Sequence, residues 1–242
     1  MVKPLENMRK FHNKVKGDML LFTTKGKSDI RILELAAGSG GDLHKWNKNS
    51  KIKAVDGYDI VIDEAHKRLE KMKTTKSYTF TLKDLSAEVV TCETPYDIIS
   101  CQFAFHYFFK SKKTMDTVFS SIKNCSSKGT VFYCTLFDGA KVLSLLGDNG
   151  KYETPEWYIK KTGKKAVHLG NSVEVYIKGS ILDKPTVEYL VKPEFLIESL
   201  KRIGFSLVLK KNFSEFYNEK HQLSESEKTL SFLNNVYVFL KN

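Results

Sequence analysis

Apolar residues recur at Met8, Phe11, Val15, Met19 and Phe22, the spacing of one helix face, and the positions between them are largely basic or polar. The pattern predicts a basic N-terminal helix over 8–22, lying with one stripe against the rest of the chain. The apolar runs then shorten. DIRILEL (29–35) reads as a strand, and GDLHKWNK (41–48) can open a helix with Asp42 near its positive end. KIKAVDGYDI (51–60) returns as a second strand, and VIDEAHKRLEKMK (61–73) is an amphipathic helix. SYTFTL (77–82), YDIISCQFAF (96–105) and GTVFYCTLF (129–137) are further strands, with a helix over KKTMDTVFSSIKNC (112–125). The run 96–105 has no polar face, as expected of a strand covered on both sides. Strands alternating with helices predict βαβ units and a mostly parallel sheet with helices on both faces. Right-handed crossovers then bring the strands' carboxyl ends, and their loops, to one edge.

After residue 138 the pattern changes. SVEVYIKG (172–179) alternates like an antiparallel strand, and TVEYLV (186–191) is short and apolar. KPEFLIESLKRIG (192–204) is a helix with proline at its start and glycine at its stop. FSLVLKK (205–211) and NNVYVFL (234–240) are closing strands. The expected organisation is one domain over 1–242: a helical extension (1–28), a ligand-binding core (29–137), an insertion at the functional edge (138–190) and a completion of the sheet (191–242).

Composition narrows the class. A chain of 242 residues that is 41% hydrophobic can bury a substantial core, and no apolar run is long enough to span a bilayer. The N-terminus has no apolar stretch of a secretory signal, so an intracellular setting is expected. Cys92, Cys101, Cys125 and Cys134 form no C-x-x-C pair, which gives a zinc site no support and predicts reduced, mostly buried thiols. The net charge of +11 suits a polyanionic partner such as nucleic acid, or a solvated lysine-rich surface.

The candidate chemistry lies at the predicted edge. LELAAGSGG (33–41) runs from a strand into a glycine turn of the kind that holds phosphates, dinucleotides or S-adenosylmethionine. It lacks the Gly-Lys-Ser/Thr of a phosphate loop and the spacing of a dinucleotide fingerprint. Asp59, about 20 residues on, suits a ribose diol, since a carboxylate can accept from both hydroxyls; Asp56 and Asp63 compete for the role. Asp84, after the third strand, could accept from an adenine amine. Three such features after three successive strands point to an adenosine ligand. In CQFAFHYFF (101–109), Gln102 ends a buried strand and His106 and Tyr107 follow in the loop.

These pieces together resemble the class I S-adenosylmethionine-dependent methyltransferases with their Rossmann-like α/β fold. More narrowly they resemble the mRNA cap guanine-N7 methyltransferases. LELAAGSGGDLHKW is similar to that family's L-(D/E)-L-G-C-G-K-G-G-D-L-x-K-W, with Ala36 in place of the first glycine and Ser39 in place of the lysine. DIISCQFAFHYFF resembles D-I-x-S-x-Q-F-x-x-H-Y, LDKPTVEYLV resembles P-E-(F/Y)-L-V with an insertion, and LVLKKNFSEFYNEK resembles L-V-x-K-x-x-F-x-E-F-Y. FHNKVK is similar to F-N-N-W-x-K, and the matches run in the family's order from about residue 8 to the end. The short C-terminal portion and the lysine bias resemble the methyltransferase domains of capping enzymes from large DNA viruses.

The resemblance implies S-adenosylmethionine as cofactor, no metal, and capped RNA (GpppRNA) as partner. It implies triphosphatase and guanylyltransferase domains in the same polypeptide or complex. The setting it implies is host cytoplasm or virion for a viral chain, nucleus for a cellular one. For the cofactor it implies Lys16, Ala36, Gly38, Asp59, Asp84, Leu85, Gln102 and Tyr107. For the cap it implies Asn13, Lys45, Arg68, His106, Tyr107, Glu188 and Tyr237. Guanine N7 carries no proton, so the implied reaction needs no general base, and His106, Tyr107 and Glu188 are expected to position the base rather than to move protons. Two other readings stay open on the sequence: a non-catalytic RNA-binding or stimulatory subunit of the same fold, and a methyltransferase with another acceptor.

Overall fold

The computed structural model describes residues 5–163, 168–179 and 184–242. The first four residues of the N-terminal extension, and Leu182 and Asp183 of the string LDKPTVEYLV, lie outside them. Helix α1 (Glu6–Thr23) buries Met8, Phe11, Val15 and Met19 as the periodicity predicts. Phe22 departs from the expected stripe and is 47% exposed, because the buried face drifts to Leu20 and Thr23.

Strand β1 (Ile30–Leu35) leads through the glycine turn into the short helix α2 (Leu43–Lys48), then β2 (Ile52–Asp59), α3 (Asp63–Glu70) and β3 (Ser77–Leu82). Strand β4 (Ile98–Gln102) is followed by a 3-10 helix at Phe105–Lys110, by α4 (Lys112–Asn124) and by β5 (Val131–Phe137). Ser111 opens α4 with a reciprocal cap: its side chain accepts from the Thr114 amide while the Thr114 hydroxyl accepts from its own. Next come α5 (Gly139–Leu146), β6 (Lys151–Glu153), β7 (Trp157–Lys161), β8 (Ser172–Ile177) and β9 (Thr186–Tyr189). Helix α6 (Pro193–Arg202), β10 (Phe205–Asn212), α7 (Glu225–Ser231) and β11 (Asn234–Lys241) complete the chain.

The main sheet has seven strands in the order β10-β11-β5-β4-β1-β2-β3. Strands β1 to β5 are parallel, and β11 enters antiparallel between β5 and β10. The strand order reverses between β1 and β4, which opens a crevice beyond their carboxyl ends. One face is covered by α1 and the 139–190 segment, with Phe11, Val15, Trp46, Trp157 and Ile159 in its core. The other is covered by α4 and α6 through Val118, Ile122, Leu196 and Leu200. A smaller cluster of Ala37, Leu43, Ile62, Ala65 and Phe80 seats α3.

Residues 151–189 carry a separate antiparallel sheet, β6-β7-β8-β9. Its two ends meet the main fold at one joint. Asp138 and Val191 form a bridge, and the Gly139 amide donates to the Val191 carbonyl at 3.0 Å. A Cβ on Gly139 would stand 2.8 Å from that carbonyl oxygen, so the joint requires glycine.

The expectation of four reduced thiols needs correction. Cys92 and Cys125 form a disulfide, while Cys101 and Cys134 are free and buried. The Tyr96 amide donates to the Cys125 carbonyl at 2.9 Å and the Val90 amide to Ser121 Oγ at 2.9 Å, which draws the segment after β3 onto the end of α4. The two Cα atoms are thereby 5.3 Å apart, within bridging range. Among the described residues no helix is long and apolar enough to cross a membrane.

Candidate functional site

The glycine turn after β1 lies at the crevice. Gly38 and Gly40 have positive φ, 54° and 69°, and Ala36 shares that backbone at 58°. Nothing lies within 4 Å of the position a Gly38 Cβ would take, so the loop faces open space there. The Gly38 amide donates to Asp59 Oδ2 at 2.7 Å, and Val61 donates to Oδ1 at 3.1 Å. Asp59 thus ties the turn to the end of β2. Beside it Ile60, Val61 and Leu82 are exposed apolar residues at the ends of β2 and β3. Asp84 accepts from the Ser86 amide at 2.8 Å in a tight turn, and Leu85 is buried.

A charged cluster stands on the other side of the crevice. Asp42 is at the start of α2 but makes no capping bond. Its carboxylate receives Lys16 from α1 at 2.8 Å and Lys45 from α2 at 2.6 Å, and Lys45 also reaches Asn13 Oδ1 at 2.9 Å. Three residues expected at the site, Asn13, Lys16 and Lys45, are therefore brought together by a fourth that the sequence pattern assigned only to the helix end. Burial alone would raise the Asp42 carboxyl; the two ammonium groups and their hydrogen bonds outweigh it and hold it below the ordinary value. Glu34 in β1 is buried and accepts from Trp46 Nε1 at 3.1 Å. Burial, reinforced by the Asp42 charge, raises it to about 8. With Glu34 neutral, two cations face one carboxylate, and the surplus suits an anionic group.

Gln102 ends β4 with its Nε2 donating to Ser100 Oγ at 3.1 Å and to the Tyr133 carbonyl at 3.3 Å. Its Oε1 is buried with no hydrogen-bond partner among the described residues, an acceptor that suits a ligand N–H. Phe103 follows with φ of 55°, its ring stacked on His12 at 5.2 Å and lying under Lys16 at 5.9 Å. Phe103, Asp42 and Glu34 are candidate site-lining residues to which the sequence reading assigned no site role. Each had a signal there, since all three fall in the motif strings LELAAGSGGDLHKW and DIISCQFAFHYFF, and Glu34 is also a charged residue inside a strand otherwise buried.

The 3-10 helix after β4 meets β9 of the smaller sheet. His106 Nε2 lies 3.3 Å from Glu188 Oε2, although neither ring nitrogen makes a well-aligned hydrogen bond. Burial lowers His106 to about 3 and raises Glu188 to about 8, so both are held neutral. Tyr107 packs on His106 at 4.2 Å and is 38% exposed.

Two expected cap residues are not brought to this group. Arg68 pairs with Glu64 at 3.2 Å, one turn back on the exposed side of α3. Tyr237 corrects the sequence reading. Its ring is 1% exposed and its hydroxyl accepts from Asn235 at 3.1 Å. It pairs with Cys134, one row below Thr135, the residue level with Gln102, and packs in the core under α6. Among the described residues no three metal-ligating side chains gather.

The sheet order with a reversed last hairpin, and the glycine turn tied to an acidic second strand, define the class I S-adenosylmethionine-dependent methyltransferase fold. Solved structures agree. The chain is similar to an S-adenosylmethionine-dependent methyltransferase of Clostridium acetobutylicum ATCC 824, with a TM-score of 0.62 and 16% identity over 97% of this chain and 92% of that one. It is also similar to one of Mesorhizobium loti, with a TM-score of 0.64 and 14% identity over 93% and 96% of the two chains.

The family model described as mRNA (guanine-N(7))-methyltransferase domain matches residues 2–237, and the chain belongs to that family. It is 23% identical to the mRNA cap guanine-N(7) methyltransferase of Drosophila melanogaster, over 88% of this chain and 56% of that protein. It is 26% identical to the "Probable mRNA-capping enzyme" of Acanthamoeba polyphaga mimivirus, over 97% of this chain and 25% of that protein. The chain thus spans about half the length of the first relative and a quarter of the second.

Proposed function

We propose that this domain transfers a methyl group from S-adenosylmethionine to N7 of the guanine cap of GpppRNA. The observation that carries the reading is the buried His106–Glu188 pair, which β9 sets against the loop following Gln102 in a chain of this family. The crevice residues fit the cofactor: the Gln102 oxygen suits an ammonium, Lys16 with the surplus charge at Asp42 suits a carboxylate, and Asp59, tied to the glycine turn at the end of β2, suits a ribose diol. Ile60 and Leu82 offer an apolar surface for a purine face.

S-adenosylmethionine, when bound, supplies a methyl group already activated on sulfur. Guanine N7 has a free lone pair, so His106 and Glu188 need not abstract a proton. Their role is to hold the base edge, with Tyr107 against its ring. Positive charge grows on the purine during transfer, and Glu188, neutral in the free chain, favours that charge once it gives up its proton, which burial defers to about pH 8. The contact between Lys45 and Asn13 supports a role for both at the cap phosphates and sugar, with Arg68 a further candidate. The small share of the mimivirus protein that the chain covers supports a place beside triphosphatase and guanylyltransferase domains in a viral capping enzyme.

The test compares GpppA, GpppRNA and GTP as acceptors and maps the product. Methylation at N7 of GpppRNA is expected; a chain that binds the cofactor but leaves GpppRNA unmethylated overturns the reading. The positive φ of Ala36 favours a second reading, a non-catalytic subunit with an impaired cofactor loop. Calorimetry detecting no S-adenosylmethionine binding would support it.

A further inference from the structure

Lysines on several helices of this protein pair with an acid one turn away. Lys10 pairs with Glu6, Lys14 with Asp18, Lys112 with Asp116 and Lys228 with Glu225. The surface formed by α2 and the end of α3 carries further cations that are not so paired, beside the exposed acids Asp63, Glu64 and Glu70 of α3. On α2, His44 and Lys48 are exposed and four residues apart, hence on one face. Past the end of α3, Lys71 stands four residues after Lys67, with Lys73 two further on, all exposed. Lys48, Lys67, Lys71 and Lys73 make no ion pair among the described residues. Like charges at this spacing cost an isolated helix a few tenths of a kcal/mol.

The two helices lie side by side. Leu43 and Ala65 crowd the same point beside Gly40, Asn47 Nδ2 donates to the Lys73 carbonyl at 3.1 Å, and Lys76 Nζ donates to the Trp46 carbonyl at 2.8 Å. The unpaired cations of both elements therefore share one surface. It starts at the cap side of the site, since Lys45 neighbours His44 and reaches Asn13. His44 reports the field there. It is lowered by partial burial, then by Lys45, with Lys48 and Lys16 adding to the effect and Asp42 opposing it.

We propose that this face of α2 and the end of α3, with Lys48, Lys71 and Lys73, is a track for the RNA chain that follows the cap. The proposal rests on the reading of the site as a cap methyltransferase and extends it from the cap to the RNA body. Lysines there would neutralise successive phosphates without reading bases, the usual mode for single strands. Positive charge also suits the last turn of a helix for its own sake, so the test must separate binding from folding.

Methyl transfer is measured with GpppA and with a capped RNA of about ten nucleotides, a length within the site sizes of single-strand binders. Combining Lys48→Glu, Lys71→Glu and Lys73→Glu is expected to raise KM for the capped RNA about tenfold and to leave GpppA turnover unchanged. The salt dependence of log KM should become shallower by about two, from roughly 0.7 per lost phosphate contact. Fluorescence anisotropy with an uncapped RNA of the same length reads the surface without turnover, and weaker binding is expected. A second variant with glutamine at the three positions, checked by thermal melting, guards against damage from charge reversal. Unchanged KM and anisotropy would overturn the track and leave the charges to an acidic protein partner. An equal rise for GpppA and RNA would overturn it too. If the native chain methylates neither acceptor, the functional reading fails, and the anisotropy still decides the track.

Discussion

Ala36 holds a backbone that suits glycine. A Cβ in the left-handed region costs roughly 1–2 kcal/mol, and glycine gives back about 0.5–1 kcal/mol through the freedom of the unfolded chain. Ala36→Gly is therefore expected to stabilise the protein by about 0.5–1 kcal/mol. Urea unfolding should show a higher midpoint with an unchanged slope.

Glu188 and His106 predict a pH dependence of opposite signs. The folded chain holds the Glu188 proton up to about 8 against an ordinary 4.5, so stability falls as pH rises through that window. Folded His106 stays neutral down to about 3 against 6.5, so stability rises with pH over that range. The two slopes cancel between 4.5 and 6.5 and leave a fall from there to about 8. Glu34 is raised to about 8 as well and adds to that fall, so Glu188→Gln should roughly halve it, measured by denaturation at the two ends of the window. If the carboxylate is the active form, kcat/KM for the cap rises toward about pH 8, and Glu188→Gln abolishes the rise.

Helix α2 has six residues and cannot stand alone, yet it carries Lys45. Its last carbonyls are held from outside. Lys76 Nζ donates to the Trp46 carbonyl at 2.8 Å and also to the Asn49 carbonyl. Removing this cap by Lys76→Met should cost about 1–2 kcal/mol, seen in urea unfolding, and should weaken cap binding through Lys45. Elements of this kind show where the sequence was legible. Strands β1 to β5 announced themselves because each is a short apolar run between turn residues. Strands β6 and β7 did not, because Lys151, Glu153, Lys160 and Lys161 break the apolar alternation in a sheet exposed on one face. Helix α5 went unread although Asp138 caps its start and Gly147 ends it. The Glu188 side chain was legible through family resemblance alone; its approach to His106 depends on how β9 docks, which local periodicity does not encode.

At the scale of the whole molecule the Cys92–Cys125 link closes a loop of 33 residues, from the segment after β3 to the end of α4. Loop closure of that size contributes about 3–4 kcal/mol in the chain-entropy view. Dithiothreitol, or Cys92→Ser, should lower the unfolding midpoint accordingly; an unchanged midpoint would show that the packing of Val90 and Tyr96 holds the segment unaided. Spacing could not reveal this pair, since any two of four cysteines were equally eligible. The charge balance, by contrast, was plain in composition, while the approach of α2 to Lys71 and Lys73 past the end of α3 required the fold.

Gly139 and Val191 meet backbone to backbone, so the residues between them form a closed excursion whose length neither β5 nor α6 can sense. Each doubling of a turn far from that joint adds only about 0.6 kcal/mol of closure entropy. Over generations the turns of the smaller sheet can therefore lengthen or shorten while the strands that line the crevice keep their register. Within the joint itself, the glycine at 139 is the residue such drift cannot touch.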